Sequence, residues 1–239
     1  MKQRLKSWLG INANEDARNA WLRQTLASLP AGLRLLDAGA GELRNKALCA
    51  HLQYVSQDVC QYEGAGNAKG LHTDTWDTSR IDIVSDITSI PEADASFDAI
   101  LCSEVFEHLT DPLKALDEFH RLLKPNGKLI LTAPFSSLVH FAPYHFASGL
   151  SRYWYEHHLP MRGFAIVELQ ANGDWFAFAR QELLRLPSMA RRYRNWAWPF
   201  AYGVVAMGLM YFALGRPRRA SDDVACFGWH CVAINNGNT

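Results

Sequence analysis

The chain has 239 residues, with 24 lysines and arginines balanced against 24 aspartates and glutamates. Zero formal charge argues against a dedicated nucleic-acid binder, which carries a basic excess. An apolar fraction of 49% excludes a disordered chain, and five scattered cysteines with no C-x-x-C pair argue against a disulfide framework or a structural zinc site.

A single α/β domain of this length buries about three-quarters of its unfolded surface, enough for one sizeable core. The cysteine usage fits a reducing, cytoplasmic setting. The N-terminal stretch carries charges throughout, so no signal peptide is expected. Residues 1–30 read as a helix with Trp8, Leu9, Trp21, Leu22, Leu26 and Leu29 as its apolar residues, stopped by Pro30-Ala31-Gly32. Strand-like and helix-like segments then alternate. LRLLDA (33–38), QYVSQD (53–58), IDIVSD (81–86), SFDAILCS (96–103) and KLILTAPF (128–135) are short apolar runs suited to strands. KALCAHL (46–52) and residues 104–124 read as helices, and Pro125-Asn126-Gly127 as a turn. Further on, RGFAIVELQANG (162–173) reads as a sixth strand, DWFAFARQELLRL (174–186) as a helix, and ACFGWHCVAIN (225–235) as a last strand. This alternation predicts βαβ units and a mostly parallel sheet covered on both faces.

The first strand delivers Asp37-Ala38-Gly39-Ala40-Gly41-Glu42 into the next segment. Glycines at a strand exit let the backbone approach a ligand closely, and such turns lie in the crevice at the carboxyl ends of a doubly wound sheet. Asp58 ends the second strand 21 residues after Asp37, and Asp86 ends the third. Each acid alone reads as a loop aspartate or a helix cap. Together they place three carboxylates at three successive strand ends, with Asp58 where an acid accepts ribose hydroxyls. Arg44 occupies the third glycine position of the dinucleotide fingerprint, which counts against NAD or FAD.

LLDAGAGE, YVSQD and the run from VSDITSIP to LILTAPF, in this order and spacing, resemble the class I S-adenosylmethionine-dependent methyltransferases of small-molecule type. The resemblance covers roughly 33–186, with 225–235 fitting a closing antiparallel strand. It implies a Rossmann-like doubly wound fold with a seven-stranded sheet, helices on both faces and S-adenosyl-L-methionine as cofactor. Asp37, Gly39 and Gly41 would form the loop against its methionine part. Asp58 would hold the ribose hydroxyls, and Asp86 with the amide of Ile87 would read the adenine edge. Ser103 and Glu104 would line the wall near the sulfonium. Many members carry a further glycine where this chain has Leu43.

Glu104, Glu107 and His108 fall at i, i+3 and i+4, and would share one face if a helix begins there. Two carboxylates and an imidazole are a half-site for a divalent metal, and the same acids also suit an ordinary helix first turn. E-x-x-E-H with a histidine after the fifth strand resembles two metal-assisted branches of the family, the O-methyltransferases of ubiquinone synthesis and the enzymes that methylate small-RNA 3′ ends. The implied ligands are Glu104, Glu107, His108 and His145, with His140 second to His145. Without a metal, His108 or His145 would serve as the base.

Residues 196–214 form an apolar stretch with no charge, preceded by Arg191, Arg192 and Arg194 and followed by Arg216, Arg218 and Arg219. Basic residues on both flanks oppose a single membrane span. The readings left are peripheral contact with the inner face of a membrane, a homodimer contact, or a helix packed on the core. The chain therefore reads as one domain: a helical cover at 1–32, a core at 33–186 and 225–236, and an apolar helical insertion at 187–224. The expected activity is methyl transfer to oxygen of a small-molecule or glycan- or lipid-linked acceptor, with no nucleic acid involved. The alternatives are a non-catalytic S-adenosylmethionine-binding partner subunit and a nucleotide-dependent oxidoreductase.

Overall fold

A computed structural model describes residues 12–215 and 219–237. Trp8, Leu9, Arg216 and Arg218 lie outside the described residues. The elements in chain order are α1 (Ala13–Ala27), β1 (Arg34–Ala38), β2 (Gln53–Asp58), β3 (Ile83–Val84), β4 (Phe97–Ser103), α2 (Pro112–Leu122), β5 (Leu123–Pro134), α3 (Arg152–His158), β6 (Phe164–Asn172), α4 (Trp175–Arg192), α5 (Trp198–Leu214) and β7 (Gly228–Asn235). They form one seven-stranded sheet in the order β3-β2-β1-β4-β5-β7-β6. The pairs from β3 through β5 are parallel, and β7 runs antiparallel to β5 from Lys128↔Ile234 to Pro134↔Gly228. The strand order reverses between β1 and β4, which opens a crevice at their carboxyl ends.

The apolar runs become strands because both faces are covered. Leu35, Leu36, Ala99, Ile100, Leu101, Leu129, Ile130 and Leu131 are fully buried. Trp21, Leu22 and Leu26 of α1 join Leu29, Leu35, Cys49, Ala99, Leu101, Ile130 and Val232 in one core cluster. The Trp21 ring stacks on His230 at 4.7 Å, and its Nε1 donates to Glu168 at 2.8 Å. All five cysteines are free.

Three elements differ from the sequence reading. The segment after β4 is not a helix from residue 104. Glu104 takes a left-handed φ of +56°, residues 106–108 make one tight turn, and Leu109 is extended. The helix starts at Pro112, where Asp111 caps the Lys114 amide at 3.0 Å. A residue before proline is steered out of the helical region, so the start is set there. The expected common face of Glu104, Glu107 and His108 therefore does not form. KALCAHL gives only one tight turn at Lys46–Cys49. Finally, β5 begins at Leu123 and carries Pro125-Asn126-Gly127 as an irregularity in its pairing with β4, with Asn126 at φ +64°.

Two compact units share the chain. One contains the described residues of 1–20 and 171–227, the other those of 21–170 and 228–239. In the first, Asn172 donates to the carbonyl and side chain of Asn14 at 3.1 and 2.8 Å. Its helices α4 and α5 approach closely: a Cβ on Gly208 would stand 2.2 Å from Leu183 Cδ2. The second unit holds β1–β5, β7 and every residue described next.

Candidate functional site

The chain leaves β1 through Gly39 and Gly41, with left-handed φ of +78° and +51°. A Cβ on Gly39 would fall 2.5 Å from Val105 Cγ2, and one on Gly41 2.6 Å from Trp76 Cζ2. Glycine is thus favoured by the backbone conformation, and a side chain at either place would have to displace Val105 or Trp76. The amides of Gly39 and Ala40 donate to the Gln57 carbonyl at 2.8 and 2.9 Å. The Gly41 amide donates to Asp58 Oδ2 at 3.0 Å, and the Cys60 amide to Asp58 Oδ1 at 2.8 Å. The turn is therefore fastened to the end of β2. A carboxylate with two amide bonds still has a lone pair on each oxygen for ligand hydroxyls.

Asp37 is buried, and the Tyr54 hydroxyl donates to it at 2.6 Å. Burial pushes its pKa up to about 6; the bonds from Tyr54 and Asn45 oppose this, and the nearby Asp58 charge adds to it. Buried Gln57 links two strand exits: its Oε1 accepts from the Gly39 amide at 3.3 Å and its Nε2 donates to the Ser85 carbonyl at 2.6 Å. The Ser85 amide in turn donates to the Asp58 carbonyl at 3.1 Å, which ties the segment bearing Asp86 to the same edge. Asp86 itself is exposed. Its Oδ1 accepts the amide and hydroxyl of Thr88, both at 2.8 Å, and these bonds hold its pKa below the usual carboxylate value. Ile87 beside it is buried.

At the exit of β4, Thr132 organises the chain. The Glu104 amide donates to the Thr132 carbonyl at 2.9 Å, the Thr132 hydroxyl donates to Glu104 Oε1 at 3.0 Å, and the Ser103 and Thr132 hydroxyls lie 2.9 Å apart. A non-glycine residue held in the left-handed region costs about 1–3 kcal/mol and is typical of functional sites. Next to it, Val105 meets Gly39, so Ser103 and Glu104 border the glycine turn.

The histidines gather beyond this point. The ring centroids of His108 and His140 are 4.6 Å apart, of His140 and His145 4.9 Å, and of His108 and His145 5.9 Å. Among the described residues, these three offer ring nitrogens that all lie within 4.8 Å of one another. The buried Glu107 places Oε1 3.8 Å from the Nε2 atoms of both His108 and His140. The donor set thus differs from the expected one. His140 and His145 both join His108, while Glu104, expected as a ligand, is turned to Thr132. The loop is pinned for this. Leu150 and Ser137 amides bond Pro134 and Ser148 carbonyls, and the amides of Phe146 and Ala147 donate to the Glu107 carbonyl at 2.9 and 3.1 Å. Burial pushes the His108 pKa down to about 4, helped by the charges of His140 and His145 and opposed by its bond to Tyr144. The imidazole is therefore neutral and a feeble base at pH 7.

An aromatic roof connects the two halves. Trp76, seated on Gly41, meets Phe141 edge-on at 5.0 Å. Phe141 stacks on Tyr62 at 4.3 Å and on His108 at 5.2 Å. Leu71 pairs with residues 139–141: its amide donates to the Val139 carbonyl at 2.9 Å and its carbonyl accepts the Phe141 amide at 3.1 Å. Sequence reasoning missed Tyr62, Trp76, Phe141, Gln57 and Thr132. The only signal for Tyr62 and Trp76 is a group of aromatics around Gly64, Gly66 and Gly70, without any period, and for Phe141 its place among the aromatics and histidines after β5.

The chain is similar to known proteins in sequence and in fold. Residues 36–131 match the family model described as "Methyltransferase domain". A ubiquinone biosynthesis O-methyltransferase of Xanthomonas oryzae pv. oryzae is 34% identical over 105 residues, 43% of this chain and 43% of its own. The matched stretch therefore spans less than half the length of that relative. A demethylmenaquinone methyltransferase of Deinococcus radiodurans is 28% identical over 228 residues, covering 88% of this chain and 85% of its own. Among solved structures, phosphoethanolamine N-methyltransferase 2 of Haemonchus contortus, in complex with phosphomonomethylethanolamine and S-adenosylhomocysteine, superposes with a TM-score of 0.53 at 18% identity, over 96% of this chain and 57% of its own. The (4+2)-cyclase SpnF gives 0.55 at 18% identity, over 90% and 79%. Residues 36–131, less than half of this chain, thus resemble a methyltransferase domain, and the chain shares its Rossmann-like fold with the solved structures above.

Proposed function

We propose that this protein transfers a methyl group from S-adenosylmethionine to oxygen of a small, hydrophobic acceptor. The observation that carries the reading is the Asp58 carboxylate at the end of β2, bonded to the amide of Gly41 in the turn that leaves β1 at the strand-order reversal. Asp37, Gly39 and Gly41 would cradle the methionine part, Asp58 the ribose hydroxyls, and Asp86 with the Ile87 amide the adenine. Ser103 and Glu104 would border the sulfonium. In the reaction an acceptor oxygen attacks the methyl carbon, the carbon–sulfur bond breaks, and S-adenosylhomocysteine leaves. The sulfonium already activates that carbon, so the protein's main work is alignment and removal of the hydroxyl proton. Of the two histidines expected as the base, His145 would handle that proton in the absence of a metal, since His108 is a feeble base. Oxygen as the methylated atom follows the O-methyltransferase name of the Xanthomonas relative.

No helix among the described residues is long and apolar enough to cross a membrane. The 17-residue α5 nevertheless leaves Phe200, Tyr202, Met207, Met210 and Leu214 exposed, and it follows Arg191, Arg192 and Arg194. An apolar helix beside arginines suits the interfacial zone of an anionic bilayer, and peripheral contact there would bring the enzyme to a membrane-dissolved acceptor.

A second reading, binding or cyclisation without methyl transfer, is favoured by one observation, the cyclase on the same fold. Titration calorimetry with S-adenosylmethionine, followed by product analysis with a phenolic quinol acceptor, separates them. Nucleoside binding with release of S-adenosylhomocysteine supports methyl transfer; binding without turnover of any hydroxylated acceptor favours the second reading.

A further inference from the structure

The three-histidine cluster is organised as a ligand set. His108 Nδ1 bonds the Tyr144 carbonyl, and His140 Nδ1 the Leu138 carbonyl at 2.9 Å. A carbonyl only accepts, so each Nδ1 carries the proton and each Nε2 keeps its lone pair. His108 Nε2 is buried with no hydrogen-bond partner, and so are both ring nitrogens of His145. A buried polar atom left unpaired costs about 1–3 kcal/mol, and three at one place call for a common cause. Imidazoles whose Nδ1–H is fixed by a backbone carbonyl, with Nε2 turned to a shared point, are the usual outer support of a metal site.

We infer that His108, His140 and His145 bind one divalent transition-metal ion of the zinc, cobalt or nickel class. Imidazole nitrogen suits these ions, whereas Mg²⁺ takes oxygen ligands and keeps its water. The set is therefore selective against Mg²⁺, unlike the two-carboxylate set suggested by the E-x-x-E-H pattern. Three protein ligands leave a fourth position open. Glu107, 3.8 Å from two of the Nε2 atoms, places a carboxyl group beside the ion. On the methyl-transfer reading the open position takes the acceptor hydroxyl and lowers its pKa, so the histidines hold the ion rather than the proton.

The test is Co²⁺ binding to the full chain after dialysis against a chelator, followed by the visible d–d bands of low-coordinate Co²⁺. One ion per chain is expected, displaced by Zn²⁺ and retained in millimolar Mg²⁺. His140→Gln, at a half-exposed position that leaves the fold intact, and His145→Ala should each weaken binding by about 100-fold or more, beyond the range of outer-support losses. Glu104→Gln and His157→Ala should leave it unchanged. Absence of the bands, equal affinity of His140→Gln and wild type, or displacement by Mg²⁺ overturns the proposal. S-adenosylmethionine affinity measured on the same samples separates the two readings. Metal binding without nucleoside binding removes methyl transfer and keeps the site; nucleoside binding without metal does the reverse.

Discussion

The glycine turn after β1 and the histidine cluster beyond β4 lie in one unit and are built on opposite terms. At the turn the amides of Gly39, Ala40 and Gly41 are all taken up by the end of β2, and the conformation is fixed by backbone geometry. At the cluster, ring nitrogens of His108 and His145 are buried without hydrogen-bond partners, and the arrangement is fixed by a loop of side chains. The turn is complete as a piece of protein and offers a shaped surface. On the reading proposed above, an electrophile among its nitrogens completes the cluster. There, shape would recognise a nucleoside and lone pairs a cation.

The largest effect expected of the turn is from Asp58→Ala. It removes the acceptor for the Gly41 and Cys60 amides together with the proposed ribose contact, and charged hydrogen bonds are worth about 1.5–3 kcal/mol each. Calorimetry should record a fall in S-adenosylmethionine affinity of about 100-fold or more; an unchanged affinity would end the ribose assignment. Next comes Asp37, whose folded-state pKa of about 6 lies above the ordinary 3.8. A raised carboxylate contributes stability that is full below about pH 3.8 and lost as the pH rises through about 6. At 1.36 kcal/mol per pKa unit, this amounts to about 3 kcal/mol relative to a neutral residue. Denaturant melts of wild type and Asp37→Asn between pH 4 and 7.5 should therefore diverge as the pH rises, with the variant gaining; parallel curves would refute the buried-carboxylate account.

A smaller loss, on the order of tenfold in nucleoside affinity, is expected for Gly41→Ala. Its Cβ strikes Trp76, and Trp76→Ala in the same chain should recover part of the loss. No recovery would assign the effect to the left-handed backbone alone. The smallest effect lies in the other unit. Replacing Met207 and Met210 of α5 by serine should reduce co-sedimentation with anionic liposomes a few-fold, at roughly 25 cal/mol per Å² of apolar surface withdrawn, without changing nucleoside affinity. Equal sedimentation of both forms would remove the membrane contact.

Much of the turn was legible in the sequence. Strands buried on both faces must be apolar runs, and a chain leaving such a strand at a ligand crevice needs glycine, so β1, β2 and β4 with Gly39, Gly41 and Asp58 are visible as letters. The helix start after β4 was not. The break at Glu104, before the start that Pro112 sets, depends on Thr132, a residue 28 positions away, bonding Glu104 in its left-handed conformation. The equal standing of His140 and His145 was equally hidden, because it follows from the Glu107 carbonyl anchoring Phe146 and Ala147. Nor does any periodicity in residues 59–80 announce that Trp76 will cover Gly41.

By itself, then, the sequence determined the sheet, its strand ends and the acids and glycines at them, since these follow from local rules of burial, alternation and backbone freedom. Which imidazoles meet, where Glu104 turns and what roofs the glycine turn were decided only in the tertiary structure. Those outcomes depend on hydrogen bonds and ring contacts between loops far apart in the chain, and spacing along the chain does not encode them.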